Sequence, residues 1–167
     1  MKNNLIKLKP RRHLQVGSVF HLTFAAHNNE PIFSGFSMAR IMVSCLRKSD
    51  KQGITDTLAF VVMPDHVHWL FVLKFSIIPQ CIQRVRAQFS RTAGGSLLAA
   101  GYRSQELVLG GDLVGMTKHV VENPLRVGLV EALGDYPYWY VADSGSGVES
   151  GAAAPSYPSI MKESTCE

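Results

Sequence analysis

The sequence predicts an α+β chain of the ferredoxin-like kind, one antiparallel sheet with helices on one face. Three observations carry this. Short β-rich runs alternate with segments of helical period, in the order strand, helix, hairpin, helix, strand, helix. A Met63-Pro64-Asp65 turn joins two apolar runs into the hairpin. The 167 residues suffice for one ordinary domain, and no internal repeat divides them.

The first strand is Val19 to Phe24, ending before the turn-prone His27-Asn28-Asn29-Glu30-Pro31. From Ser37 to Lys48, Met38, Ile41, Met42, Cys45 and Leu46 recur at helical spacing. Thr57 to Val62 is an apolar strand, broken by Pro64, which fixes φ and donates nothing. His66 to Leu73 returns as its partner. Pro79 suits a first helical turn, and Ile82, Val85 and Phe89 form the apolar stripe behind it. Residues 98–111 have no clear period, and Gln105 to Leu109 is the strand candidate. Asp112 is a good N-cap for a helix with Leu113, Met116 and Val120 buried, stopping at Asn123 before Pro124.

Bulk composition adds limits rather than a function. Apolar residues make up 46% and charged residues 18%, with no apolar run long enough for a membrane helix. The net charge is +4. After Gly145 only Lys162 stands against Glu149, Glu163 and Glu167, a net of −2, which leaves +6 for residues 1–145. A mildly basic fold is compatible with a polyanion. Cys45, Cys81 and Cys166 lie far apart, which argues against a disulfide scaffold or cysteine zinc cluster and for a reducing, cytoplasmic setting. Residues 1–10 read as a basic N-terminal arm without a secretory signal, 11–142 as the folded domain, and 143–167 as a disordered tail.

His66-Val67-His68 is the strongest chemical feature. Alternation on a strand sends both imidazoles to one face, ~7 Å apart at Cα, where they can share a divalent ion. The alternative is a pair of strand histidines on a solvated face. On the reverse side Val67, Trp69, Phe71 and Leu73 are continuously apolar.

The run Val61-Val62-Met63-Pro64-Asp65-His66-Val67-His68-Trp69-Leu70 resembles the HUH signature (His, hydrophobic, His) of the REP-associated tyrosine transposases. These are single-tyrosine HUH transposases of small insertion sequences. His21-Leu22-Thr23 with Asn29-Glu30-Pro31-Ile32-Phe33 resembles their first strand and the approach to their first helix. Asn123-Pro124-Leu125-Arg126-Val127-Gly128-Leu129-Val130, followed by Asp135-Tyr136-Pro137, resembles their asparagine-proline motif. The matches run in family order from about Arg11 to Trp139. The resemblance implies a single-stranded DNA transposase or endonuclease that needs no nucleotide cofactor. Its His66 and His68 would hold Mg²⁺ or Mn²⁺, with Asn123 as a third ligand. A helix-borne tyrosine would attack the scissile phosphate and leave a 5′-phosphotyrosine and a free 3′-OH. The expected partner is single-stranded or hairpin DNA at repeat ends, and the resemblance leaves monomer and homodimer both open.

One departure governs the function. The family's nucleophile stands four residues before that asparagine, and this position is His119, on the same helix face as Asn123. A histidine there can serve as metal ligand, base or phosphohistidine nucleophile, or be a drifted residue in a degenerate copy. Tyr102 is the substitute nucleophile of choice; Tyr157 lies in the tail. Ala99 and Ser104 stand near positions where relatives carry a tryptophan and an aspartate-histidine pair. Tyr136, Tyr138, Trp139 and Tyr140 read as a hydrophobic flap over the sheet rather than a stacking platform for bases.

The DNA surface has its own signal. Arg84, Gln88 and Arg91 recur at i, i+4 and i+7 opposite the apolar stripe, flanked by Arg86, and such a row can track phosphates. A solvated helix face is the plain alternative. Arg126, just after Pro124, is a further candidate for a phosphate contact near the expected metal. Two readings follow from the resemblance: a metal-dependent protein that cleaves and rejoins DNA at hairpin-containing repeat ends with His119 in the tyrosine's place, or one that binds DNA without cutting it. A two-histidine phosphoesterase would need a second HxT besides His21-Leu22-Thr23, and none occurs.

Overall fold

A computed structural model describes residues 16–108 and 111–142. The basic arm, the tail with Tyr157 and Cys166, and Leu109 lie outside the described residues. Strand β1 (Val19–Ala25) leads through two 3₁₀ turns (His27–Asn29 and Ile32–Ser34) to helix α1 (Phe36–Lys51). The hairpin of β2 (Thr55–Val62) and β3 (His66–Leu73) follows, then α2 (Ile78–Ala93) and β4 (Arg103–Leu107). Helix α3 (Leu113–Val121), the single turn α4 (Asn123–Arg126) and β5 (Trp139–Val141) complete the order. The sheet runs β4-β1-β3-β2-β5, antiparallel throughout. Placing β3 between β1 and β2 is the split βαβ of a ferredoxin-like α+β sandwich.

Period-2 alternation divides the sheet into two faces. Phe20, Leu22 and Phe24 of β1 and Val67, Trp69, Phe71 and Leu73 of β3 point to α1 and α2, where Met42, Leu46, Ile82, Val85 and Phe89 close the main core. Trp69 sits at its centre, fully buried, its Nε1 donating to Thr57 Oγ1 at 2.9 Å. Thr57 in turn donates to Asp50 Oδ1 at 2.9 Å, and the Thr55 hydroxyl lies 2.6 Å from the same oxygen. Thr57 pairs with Phe71 and Ala59 with Leu70, so Leu58 is an extra residue in β2. This bulge shifts the alternation by one. Thr55 and Thr57 before it, and Phe60 and Val62 after it, therefore all face the main core.

The other face carries α3. Val120 and Val121 pack on Ala59, Val61, Met63 and Leu70 in a second, smaller cluster. Helices α1 and α2 share one face as expected, and the histidine-bearing face receives the third helix. Asp112 caps α3, accepting from the Gly115 amide at 2.7 Å.

Four local expectations change. The last expected strand lies at Arg103–Leu107 instead of Gln105 to Leu109, because Val19 to Thr23 of β1 sets its register. Leu113 is 39% exposed, since α3 meets the sheet cluster further along, through Met116, Val120 and Val121. Helix α3 ends at Val121, and Pro124 opens α4 in a first turn where its missing N–H costs nothing. The aromatic flap is partly a strand: Ala59 to Val61 of β2 pair with Trp139 to Val141, and the Tyr136 hydroxyl donates to the Val62 carbonyl at 2.6 Å. Among the described residues no helix is long and apolar enough to cross a membrane.

Candidate metal centre

On β3 the phase that buries Val67 and Trp69 leaves His66 and His68 on the α3 side, both half-buried. The register then selects their neighbours. Thr23 lies opposite His68 and Ala25 opposite His66, so β1 brings His21 and Thr23 to the same face. The Nε2 atoms of His66 and His68 are 3.1 Å apart. Each ring is held from its other nitrogen. Asp65 Oδ1 lies 2.5 Å from His66 Nδ1, and His21 Nε2 and Thr23 Oγ1 each lie 3.1 Å from His68 Nδ1. A carboxylate on Nδ1 fixes the tautomer that leaves the Nε2 lone pair free, the usual arrangement behind a metal-binding imidazole.

Electrostatics act in the same sense. Burial, then the neighbouring His66, His21 and His119, push His68 down to about 3, and burial with His119 lowers His21. At neutral pH His68 is therefore uncharged and able to donate a lone pair. The sign for stability follows from the unfolded chain binding the proton near pH 6.5 while the folded chain refuses it until about 3. Stability from this ring is full above pH 6.5 and drains as pH falls toward 3. Urea midpoints in chelator should show a loss of about 1–2 kcal/mol between pH 7 and pH 5, allowing for the ring's solvent-facing part. His68→Gln should remove most of that slope, and an unaltered slope in this variant would contradict the assignment.

Helix α3 stands over these rings. The His119 ring lies 6.4 Å from that of His21, edge to face. From α4, Arg126 hydrogen-bonds His119 Nδ1. A guanidinium only donates, so Nδ1 accepts and the proton of the neutral ring sits on Nε2. Asn123 Nδ2 donates to the carbonyls of His119 and Val120 at 2.9 and 3.0 Å, which leaves Oδ1 as its acceptor. Asn123 makes no hydrogen bond to His66 or His68 among the described residues.

The donor set fits a divalent ion in part. Two cis ligands at ~2.1 Å from one ion lie ~3 Å apart, which is the separation of the two Nε2 atoms. Among the described residues no group of three or more His, Cys, Asp or Glu forms a complete cage. His21 belongs to the cluster but spends its Nε2 on His68 Nδ1, so it supports a ligand rather than acting as one. An ion at His66 and His68 needs oxygen ligands for its remaining positions.

This arrangement has a counterpart among solved structures. A REP-associated tyrosine transposase, solved bound to a REP hairpin, superposes with a TM-score of 0.67 over 78% of this chain and 81% of its own. The fold is that of a REP-associated tyrosine transposase. Sequence identity between the two is 16%. A protein described as a transposase from Deinococcus radiodurans R1 matches at a TM-score of 0.47 and 22% identity, over 69% of this chain and 95% of that one. No family model and no curated protein matches the sequence.

Within the REP-transposase fold the expected site residues fall into two groups. His66, His68 and His119 share one face, with Asn123 and Arg126 on the α3–α4 segment beside them. Tyr102 does not join them: it packs against the main core, on the α1/α2 side. Arg86 is tied there too, donating to the Gly101 carbonyl at 2.7 Å with its guanidinium carbon 5.7 Å from the Tyr102 ring centre. Arg84, Gln88 and Arg91 face the outer surface between α1 and α2. Sequence reasoning missed Asp65 and Thr23 as supports of the two histidines. Strand parity and the hairpin register were the signal for Thr23, and adjacency to His66 for Asp65.

Proposed function

We propose that the chain is a DNA-binding protein of the HUH transposase type, which holds a divalent cation, Mg²⁺ or Mn²⁺, between His66 and His68 at a phosphate of single-stranded or hairpin DNA. The observation that carries this reading is the convergence of the two Nε2 atoms, braced by Asp65, His21 and Thr23 on the fold of a REP transposase. The solved neighbour's REP hairpin supports repeat-end DNA as the partner. When bound, the cation supplies positive charge to the phosphoryl oxygens. The chain's own residues do the rest. Asp65 and His21 hold the two ligand rings in place, and Asn123 offers an oxygen from the next helix. Arg126 and the Nε2–H of His119 are donors suited to a phosphate.

The contact between Arg126 and His119 favours binding without strand cleavage. With Nδ1 accepting from Arg126, the ring's lone pair is turned to a guanidinium rather than presented to phosphorus. The test uses a labelled hairpin with a single-stranded flank, Mn²⁺ and a denaturing gel. The wild type should bind and form no covalent adduct, and His119→Tyr should gain one. An adduct in the wild type that disappears in His119→Ala would establish a phosphohistidine and overturn binding without cleavage. Failure to bind the hairpin at all would overturn the whole reading.

A further inference from the structure

The outer surface between α1 and α2 holds an open groove of about 340 Å³. It continues past Cys45 and Gln88 into a smaller one of about 150 Å³. At its head Phe36 is 62% exposed, an unusual place for a large ring. The Arg40 guanidinium carbon lies 5.1 Å from that ring's centre, and the Tyr138 ring is 6.5 Å away. Further along, Arg84 and Arg91 flank the floor, and Gln88 and Ser44 supply polar groups. No aspartate or glutamate lines either groove. Among the described residues Arg40, Arg84 and Arg91 form no ion pair, and the Gln88 amide makes no hydrogen bond within the protein.

An exposed aromatic ring paired with a guanidinium, followed by unpaired cations and an open amide, is the pattern that holds unpaired nucleotides. Every base has a π-face to stack, and the cations follow the backbone.

We propose that this groove binds an unpaired stretch of single-stranded DNA, one base stacking at Phe36 and Arg40 with neighbouring phosphates along Arg84 and Arg91. The inference rests on the DNA-binding reading above and adds a second contact, on the sheet face away from the histidines. Gln88 and Ser44 meet the edge of the stacked base.

The test is fluorescence anisotropy with a single-stranded oligonucleotide lacking a hairpin, in chelator so that the histidine pair contributes no metal. Phe36→Ala should weaken binding about tenfold or more and Phe36→Trp should retain it. Arg91→Gln should reduce the salt slope by about 0.7, whereas Phe36→Ala should leave it unchanged. A 2-aminopurine base in the oligonucleotide should lose its quenching in Phe36→Ala. Melting curves establish that each variant is folded, as the exposure of both side chains predicts. Wild-type affinity and quenching in Phe36→Ala would overturn the groove. If the wild type still bound the hairpin with Mn²⁺, only the groove would fall; if it bound no DNA, the functional reading above would fall with it. Tighter binding of RNA of the same sequence would overturn the assignment to DNA.

Discussion

His68→Ala should abolish Mn²⁺ binding measured by titration calorimetry or by the loss of the free-ion electron paramagnetic signal. The expected fall in affinity is on the order of 100-fold or more, because a two-nitrogen chelate becomes a single imidazole. His66→Ala should do the same. Asp65→Asn is the finer probe, since it keeps both ligands and removes only the carboxylate on His66 Nδ1. Partners of that kind are worth about 10–100-fold in affinity. Thr23→Val tests the other ring with a smaller effect, because His21 remains within hydrogen-bond distance of His68 Nδ1. Unchanged affinity in both alanine variants would refute the metal site, whatever DNA binding they retained.

The largest stability effect is expected at the opposite face of the same strand. Trp69→Ala should cost about 3–5 kcal/mol in urea unfolding, the range for emptying a buried aromatic site. Trp69 is fully buried, and its ring centre lies 4.2 Å from that of Phe71. Trp69→Phe should recover much of the loss. It keeps a smaller ring against Phe71 and removes the donor to Thr57, whose own hydroxyl still donates to Asp50. A loss below about 1 kcal/mol for the alanine variant would show that the core closes over the gap far better than its packing suggests. The substitution also tests whether the histidines depend on the core behind them, since β3 is the shared support.

Much of this was legible in the residues. Two-residue alternation on β3 is strict, so the separation of His66 and His68 from Val67, Trp69, Phe71 and Leu73 could be read directly. The N-cap at Asp112 and the turn at Pro64 are local chemistry and stood where expected. What could not be read depends on pairing at long range. Thr23 reaches His68 only through the β1–β3 register, and Tyr102 falls on the helix side only through the β1–β4 register, which sets Ser104 opposite Leu22. The Leu58 bulge was hidden for a similar reason. An all-apolar run has no polar residue to mark where its phase changes. The groove was missed because Phe36 and Arg40 sit on a helix whose other residues explain it fully as a core element.

The two-sided sheet has an electrical consequence. A cation site and a cluster of unpaired arginines on so small a chain would repel each other and compete for the same phosphates if they were neighbours. Here the sheet lies between them: the histidines are on its α3 side, and Arg84 and Arg91 lie on the outer surface between α1 and α2. The sheet would therefore act as a spacer between the two proposed, like-charged sites. If both proposed sites hold DNA, one strand would be gripped at each without either displacing the other's counter-charge.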